Sequence, residues 1–510
     1  MFNLSKSSFI ILLICPLILF NCSKNQLKEP EYQILAKIGD KEITVNEFIK
    51  RAEYTIRPPY CKTNYGVSKN IILNSLIAEK LMALEVNPDS VIVKDSHLAK
   101  YVKGRKEQAM RRFHFYKHGT QKVKLDSNEI KEIYKLAGRE YKIKYFNFPD
   151  KELANQFMEQ LQQHGNSFQQ VVNNLQVERE VKIPEMEVKF TTSQSDAIHS
   201  KLYSSGAQNL KSGDIIGPLE THAKNYVILQ IDDIKSQAAL SNEQIKTRHN
   251  DVREYLRKDK AKSRYAQYVH QLMAGKEMQF NKNTFKEVAK VFSEIYTISK
   301  KKKKESLNDA LWGKNIEQLV ADSLGNTLNN LNHQVLFTLD GNQWTVEDFR
   351  EELLSHPLVF RKKGIHGLAD FAKQFRLAIA DLIRDHYITQ DAYKTGYEET
   401  EYVQNYTNMW RDEILATYDK YRYLNNVGYE MNFRENYLQA INTHLNSYVD
   451  SLQNKYSQSI EINTETFDNI QLTNIDLFAL ESNAAYPIVV PNFPIITTDT
   501  KLEYGTIMKE

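Results

Sequence analysis

The sequence predicts a mostly α-helical protein with an inserted α+β domain, and three observations support this fold class. First, one phrase occurs twice, because residues 36–48 (AKIGDKEITVNEF) return as 337–349 (FTLDGNQWTVEDF). Second, the segments that follow both copies predict long helices. Third, residues 138–235 change to a strand, then helices, then strands, which is the order of a compact α+β domain. We therefore expect a duplicated helical module that is interrupted by a domain of another kind.

Each copy of the repeated phrase predicts a short strand, a tight turn, a second strand and a capped helix start. Thr44 with Glu47, and Thr345 with Asp348, place a hydroxyl at the N-cap and a carboxylate three residues later. A cap of this kind stabilises the start of a helix by about 1 kcal/mol. Local chemistry therefore fixes where both helices begin.

Two further landmarks support the duplication. Residues 76–81 (LIAEKL) are similar to 382–387 (LIRDHY), and 280–285 (FNKNTF) are similar to 462–467 (INTETF). The two halves therefore share a beginning and an ending, and we expect each half to complete its own module. A duplicated helical module is more typical of a surface that holds a partner than of a single reaction centre.

The landmarks predict seven segments along the chain. They are a signal peptide at 1–21, the first flank of a helical module at 22–137, an inserted domain at 138–235, a long helix and return strand at 236–296 that complete the first module, a basic linker at 297–332, a second helical module at 333–470, and an apolar strap or tail at 471–510. The last segment has several prolines and no helical period. We favour a strap that lies on the body, because the segment is apolar.

The N-terminus predicts export and a lipid anchor. Lys6 precedes an unbroken apolar run at 9–20, which is too short to span a bilayer and is typical of a signal peptide. The run leads to Cys22, as at a bacterial lipoprotein processing site, although Asn21 stands where such sites usually have a small residue. The predicted location is the cell envelope, anchored in the outer membrane and facing the periplasm. An ordinary secretory signal with an incidental Cys22 is the alternative.

Composition and motifs argue against several classes of protein. The net charge of +3 is too close to balance to predict a nucleic-acid partner. The sequence has no nucleotide-binding loop, zinc-protease motif or serine elbow, and we predict no cofactor. The run Lys300–Lys304 predicts a solvated linker, with a contact to membrane headgroups as the alternative. If Cys22 is the anchor, Cys61 stands alone in the exported chain, so its stability must come from packing.

Three segments together resemble one family. They are 38–44 (IGDKEIT), 128–134 (NEIKEIY) and 210–221 (LKSGDIIGPLET). The first is similar to the opening strand and turn of the SurA-type chaperones and parvulin-type peptidyl-prolyl isomerases of the bacterial envelope. The second resembles the helix before their inserted domain, and the third resembles the parvulin signature. The resemblance covers about 36–290 and extends less strongly to 333–470. It implies duplicated SurA-N-like helical chaperone modules with an inserted parvulin-like domain.

The resemblance also implies a pocket in the inserted domain, and this sequence departs from it. Lys144 or Tyr145 stands where the family has a first His, and Val227 replaces the second. The pocket Phe would fall at Gln208 or Asn209. We interpret the domain as one that keeps the fold and has lost the chemistry, so no catalytic residue is predicted. An active isomerase with a diverged site is the alternative.

Other candidate groups predict no site. His114 and His118 stand one helical turn apart, as metal ligands can, but the segment is basic and no third ligand is near in sequence. We therefore expect them on a solvated helix face and predict no metal. His199 and His222 flank the parvulin-like pocket, and surface positions are expected. Cys61 has no evident base, so we expect a buried or incidental thiol.

The chain is rich in aromatic residues, with 29 Tyr and 23 Phe. Aromatic and Met side chains that line grooves can hold many unfolded partners without reading their sequence. We therefore predict a lipid-anchored holdase that binds unfolded or partly folded exported polypeptides reversibly and without ATP. The alternatives are an active peptidyl-prolyl cis-trans isomerase and a structural subunit of an envelope assembly.

Overall fold

A computed structural model describes most of the chain. The described residues are 33–62, 65–164, 168, 170–171, 183–192, 196–294, 296, 328–362, 364–365, 367–473 and 477–508. The predicted signal peptide, Cys22 and the Lys300–Lys304 run lie outside them. The described part is mostly helical with small sheets, as the sequence predicts. None of its helices is both long and apolar enough to cross a bilayer.

The first flank forms a hairpin followed by helices. Its elements are β1 (Ile34–Ile38), β2 (Lys41–Thr44), α1 (Val45–Glu53), α2 (Tyr65–Leu84), α3 (Val91–Lys94), α4 (Ser96–His118) and α5 (Ser127–Leu136). Gly39 makes the hairpin turn at φ +61°, a conformation that glycine adopts without strain. The Thr44 hydroxyl accepts a hydrogen bond from the Glu47 N–H at 3.0 Å, which confirms the predicted helix start.

The inserted domain is an α+β domain. Its elements are β3 (Arg139–Phe148), α6 (Lys151–His164), β4 (Glu185–Val188), α7 (Asp196–Leu202), β5 (Ile215–Glu220) and β6 (Tyr226–Ser236). The strands form one antiparallel sheet in the order β4-β3-β6-β5. Tyr141, Tyr203 and Leu229 pack on one face of the sheet, and Phe157 of α6 packs with Ile228 on the other. Gly217 lies so close to β6 that a Cβ there would be 2.9 Å from the Val227 carbonyl oxygen.

The remaining elements follow a long helix. They are α8 (Asn242–Leu272), β7 (Met278–Phe280), α9 (282–294), β8 (Val335–Leu339), β9 (Asn342–Thr345), α10 (Val346–Ser355), α11 (Gly367–Lys394), α12 (Glu401–Asn426), α13 (Phe433–Ala440), α14 (Asn446–Tyr456), β10 (Ile460–Ile462), α15 (Thr464–Asn469) and β11 (Thr506–Ile507). Thr345 and Asp348 form a complete capping box. The first copy has only the hydroxyl half of the box, because the Glu47 carboxylate turns instead to Lys80.

The closing strand of each half pairs with the opening hairpin of the other half. β10 lies beside β1, with Ala36 opposite Ile462. β7 lies beside β8, with Phe280 opposite Phe337. We expected 236–296 to complete the first module, but its strand completes the second. The exchange has a physical reason: the two hairpins are similar and each offers a free edge, and the 31 residues of α8 carry the chain about 46 Å before β7 begins.

Each helical core consequently contains residues from both halves. The first core includes Leu35, Ile72, Leu76, Ile441, Leu445 and Ile460. The second core includes Phe285, Phe292, Phe337, Phe349 and Phe375. Burying one such side chain stabilises the fold by about 1.5–3 kcal/mol. Neither core would be complete within one half, so the two halves form one body.

The helix α4 lies in the middle of this body and contacts α8, α10, α11 and α12. Its closest approach is at Gly104, where a Cβ would collide with the Ser355 carbonyl oxygen at the end of α10 and with the Tyr486 hydroxyl. A glycine is therefore required for α4 to pack this closely.

The end of the chain lies on the body. We call residues 477–508 the strap. Tyr486, Val490, Phe493 and Ile496 of the strap are buried, and β11 pairs in parallel with β10. Of the two alternatives considered for this segment, the described residues have the arrangement of a strap.

Candidate functional site

The five predicted pocket residues of the inserted domain do not come together. Tyr145 and Val227 lie on the same face of the sheet, on neighbouring strands, where Tyr145 is opposite Leu229 and Val227 is opposite Asn147. Val227 is 1% exposed and belongs to the apolar cluster of that face. An alkyl side chain there can neither donate nor accept a proton.

The other three pocket residues point elsewhere. The Lys144 ammonium lies 2.9 Å from Asp232 Oδ1, in a half-exposed ion pair. Its hydrogen bond lowers the pKa of Asp232. Gln208 and Asn209 are exposed on a short 3-10 turn, where the Gln208 carbonyl accepts a hydrogen bond from Arg139 at 3.0 Å. The domain therefore keeps the predicted strands without a cluster of polar groups at these positions.

Aromatic side chains of the domain itself fill the face that carries Tyr145. The Tyr141 hydroxyl donates to the Leu202 carbonyl at 2.9 Å, and the Tyr203 ring packs against Tyr141 with centroids 5.4 Å apart. His199 is half-buried there rather than at the surface, and its Nε2 lies 2.9 Å from the Phe190 carbonyl oxygen. His222 is exposed, as expected.

A cleft also lies in the helical body. It has a volume of about 450 Å³ and is bounded by α1, the end of α4, the start of α12 and the strap. Its lining combines charged residues at Glu47, Lys50, Arg112, Glu399 and Glu401 with aromatic and apolar residues at Phe113, Tyr402, Tyr406, Met409, Val489 and Val490. This size and this mixture are typical of sites that bind an organic ligand or a peptide segment.

The wall of the cleft is aromatic. Tyr402 stacks on Phe113 with centroids 5.8 Å apart, and the Arg112 guanidinium lies 5.2 Å from the Tyr406 ring centroid. Arg112 also forms an ion pair with Glu481 of the strap. The side-chain nitrogen of Asn405, which lines the cleft, is buried and has no hydrogen-bond partner among the described residues. The cleft therefore offers an aromatic surface, and the Asn405 nitrogen beside it is closed to solvent.

The strap runs past this cleft, folds back on itself between Leu480 and Ile488, and is held by the body through its main chain. The Gln108 amide makes both hydrogen bonds that the Tyr486 backbone can form, donating to its carbonyl at 3.0 Å and accepting from its N–H at 2.9 Å. Arg105 donates to the Ile488 carbonyl at 2.9 Å. These hydrogen bonds are made to main-chain atoms, which every polypeptide has.

Two further side chains bind the main chain of the strap nearer its C-terminal end. Arg51 donates to the Asn492 carbonyl at 2.7 Å, and Asn74 donates to the Asp499 carbonyl at 2.9 Å. We call the side chains of Arg51, Asn74, Arg105 and Gln108 the backbone-binding groove. Because these groups come from α1, α2 and α4, one surface of the first flank supplies the whole groove.

A buried ion network forms the floor of the groove. Arg51 makes two hydrogen bonds to the Glu79 carboxylate, at 2.9 and 2.7 Å, and both side chains are almost completely buried. Lys80 lies 3.1 Å from both Glu47 and Asp412. Burial alone would lower the pKa of Lys80, but the two carboxylates raise it above its ordinary value. The network fixes the position of Arg51.

A second arginine of the groove lies in an aromatic cage. The Arg105 guanidinium is 3.5 Å from the Trp410 ring centroid and 4.5 Å from that of Tyr486. Cation–π contacts that are shielded from water contribute about 2 kcal/mol. Sequence reasoning missed the groove, because its members lie more than 370 residues from the main-chain atoms that they bind.

The two histidines of α4 are not on a solvated face. His114 is completely buried and His118 is half-buried. Asp391 of α11 lies beside them, with its Oδ2 2.9 Å from His114 Nε2. Burial lowers the pKa of both imidazoles, that of His118 to about 4. The expectation was wrong because α4 packs against α8 and α11 on this side, and the sequence shows only its basic outer residues. Cys61 is a buried thiol, as expected.

Comparison with known proteins gives little further information. No protein-family model matches the chain, and no curated protein matches it. Among solved structures, the foldase protein PrsA from Streptococcus pneumoniae str. Canada MDR_19A is similar at 11% sequence identity. The match covers 44% of this chain and 85% of that chain, with a TM-score of 0.20. A similarity at this level does not indicate a function.

Proposed function

We propose that this protein is a holdase of the cell envelope, which binds extended segments of unfolded or partly folded exported polypeptides. The main support is that the body already holds an irregular segment of the chain, the strap, through main-chain hydrogen bonds beside an aromatic cleft. A surface that recognises main-chain atoms accepts many sequences, because specificity comes mainly from side-chain pockets.

The client segment is proposed to lie in the cleft alongside the strap. Phe113, Tyr402 and Tyr406 would contact its apolar side chains. Of the charged residues that line the cleft, Glu399 and Glu401 are exposed, whereas Glu47 is buried beside Lys80 and Arg112 is paired with Glu481. Binding at micromolar strength, about −8 kcal/mol, allows release without ATP.

The inserted domain is proposed to have no useful isomerase activity. Lowering the rotation barrier of a peptide bond, about 18–20 kcal/mol, needs polar groups that converge on the bond. Lys144 is engaged with Asp232, Val227 is alkyl, and Gln208 lies on an exposed turn. The domain would instead serve as a spacer or as additional contact surface for clients.

The location is proposed from the sequence alone. Lipidation at Cys22 would tether the body to the membrane, in our proposal the outer membrane with the body in the periplasm. More than one acyl chain is needed for stable anchoring. The tether would raise the local concentration of the holdase where exported chains arrive.

The test is the aggregation of a chemically denatured protein after dilution, followed by light scattering. We expect the purified protein to delay aggregation at equimolar ratio, and the double variant Tyr402→Ala/Tyr406→Ala to lose most of this effect. Tyr421→Ala is the matched control, because Tyr421 lies on the same helix, is 40% exposed and does not line the cleft. No delay with the unmodified protein would contradict the holdase proposal.

Two further outcomes would favour the alternatives. Catalysis of proline isomerisation in a short peptide would favour an active isomerase. Capture of a single stoichiometric partner would favour a structural subunit, whereas a holdase retains many partners weakly.

A further inference from the structure

His114 and His118 acquire a third polar neighbour from the other half of the chain. The two histidines lie one turn apart on α4, and Asp391 faces them from α11, 277 residues away from His114. Each residue offers one ligand atom, and these atoms all lie within 4.8 Å of one another. Two imidazoles and a carboxylate are the ligand types that zinc takes from proteins.

The surroundings of His114 match those of a metal ligand. Its Nε2 faces Asp391 Oδ2 at 2.9 Å, and its Nδ1 faces the Tyr265 hydroxyl at 3.0 Å. A metal-bound histidine almost always uses its other nitrogen in a hydrogen bond that fixes the orientation of the ring. Tyr265 therefore stands where such a partner is needed.

Asp391 is held in the same way. The Tyr268 hydroxyl donates to Asp391 Oδ2 at 2.7 Å. Tyr268 also packs on the His118 ring, with centroids 4.0 Å apart. Both tyrosines belong to α8, so three helices converge on the two histidines and the carboxylate. Hydrogen-bond partners around metal ligands, as these tyrosines would be, orient the ligands and exclude water.

His118 has an unused nitrogen. Its Nε2 lies 3.3 Å from the Tyr397 hydroxyl, a long contact, whereas its Nδ1 is buried and has no hydrogen-bond partner among the described residues. A buried polar atom without a partner costs about 1–3 kcal/mol. The ring lies 4.4 Å from that of His114. A cation bound in the plane of the His118 ring at Nδ1 would give that atom a partner that the described residues do not supply.

We propose that His114, His118 and Asp391 bind a divalent transition-metal ion, zinc by preference, in a structural site that clamps α4 to α11. Zinc–nitrogen distances of about 2.0–2.1 Å place tetrahedral ligand atoms about 3.3 Å apart. The His114–Asp391 pair would therefore open by a few tenths of an ångström and His118 would close in. A water molecule would fill the fourth position.

The choice of zinc follows from the ligand set. Two imidazoles and one carboxylate suit zinc better than calcium or magnesium, which prefer oxygen ligands. The site would add to the contacts that already join α4 to α11, which include a hydrogen bond from Arg111 to Thr389 at 2.9 Å.

The experiment uses the purified protein, stripped with a chelator, and zinc chloride as the probe. Competition with a chromophoric zinc chelator is expected to give one zinc per chain with submicromolar affinity. A hundredfold excess of zinc over the dissociation constant is expected to raise the melting temperature by about 3 °C. Cobalt is expected to give the strong visible absorption of a four-coordinate site.

His118→Ala is the decisive variant, because His118 makes only one long hydrogen bond, so its removal should leave the fold intact. We expect it to weaken zinc binding by roughly 100-fold or more and to abolish the cobalt spectrum. His249→Ala is the matched control, since His249 is exposed on α8, away from Asp391. Asp391→Asn tests the carboxylate in the same assays. Equal zinc affinity in the unmodified protein and in His118→Ala would overturn the proposal.

Discussion

The inserted domain and the helical body use their polar and aromatic side chains differently. In the inserted domain, the face that carries Tyr145 and Val227 is packed with the domain's own aromatic rings, and Lys144 is engaged on the other side. In the body, Arg105 and Gln108 direct hydrogen bonds at the main chain of the strap. The side chains that hold the strap by its main chain are therefore in the helical body, whereas Arg139 of the inserted domain binds carbonyls of its own domain.

The largest expected effect tests whether the floor of the groove is rigid. Arg51→Ala should lower the free energy of unfolding by about 3–5 kcal/mol, because it leaves Glu79 buried without its partner. Urea unfolding measures the change. Lys94→Ala is the control, since Lys94 and Asp89 form an exposed pair, and its effect should stay below about 1 kcal/mol. Similar losses in the free energy of unfolding for both variants would contradict a rigid floor of the groove.

A smaller effect tests the main-chain contacts directly. Gln108→Ala removes two hydrogen bonds to Tyr486 and should destabilise the attachment of the strap by about 2 kcal/mol. Limited proteolysis should then cut the strap near 483–492 first. Gln208→Ala is the matched control in the inserted domain, because its exposed side chain lies away from the groove. An unchanged cleavage pattern in Gln108→Ala would show that packing alone holds the strap.

The third effect depends on pH. Burial, followed by the nearby Glu79, raises the pKa of Glu413 from its ordinary 4.5 to about 7. The folded state therefore holds this proton more tightly than the unfolded state, and the contribution of Glu413 to stability is lost as the pH rises from about 4.5 through 7. Glu413→Gln should stabilise the protein by about 1–2 kcal/mol at pH 8 and by much less at pH 5. Thermal unfolding at the two pH values measures the difference, and an equal shift at both would contradict the assignment.

The smallest effect concerns the inserted domain. Lys144→Ala removes a half-exposed ion pair and should change stability by less than about 1 kcal/mol. Peptide isomerisation should stay at the uncatalysed rate before and after the change. A rate enhancement that Lys144→Ala abolishes would show that the inserted domain catalyses isomerisation and would contradict our interpretation of it.

Local chemistry explains which parts of the fold could be predicted. The hairpins, the caps at Thr44 and Thr345 and the strands of the inserted domain depend on neighbouring residues, and the sequence predicted them. The pairing of β10 with β1 could not be predicted, because both hairpins offer a similar edge. The position of the Glu47 carboxylate could not be predicted either, because it pairs with Lys80, which is distant in sequence, instead of completing the cap.

Long-range contacts explain what was missed at the sites. The third polar group beside His114 comes from Asp391, 277 residues away. The apolar composition of the strap predicted that it lies on the body, but the groups that bind its main chain are on α1, α2 and α4. Family resemblance gave positions for Lys144 and Tyr145, whereas strand alternation sends the two side chains to opposite faces of the sheet.

Hydrogen–deuterium exchange with and without a permanently unfolded polypeptide tests the central claim most directly. We expect the client to slow exchange in the cleft, at 399–409 and 486–492, and to leave 138–235 nearly unchanged. Protection confined to 138–235, with none at the cleft, would contradict it.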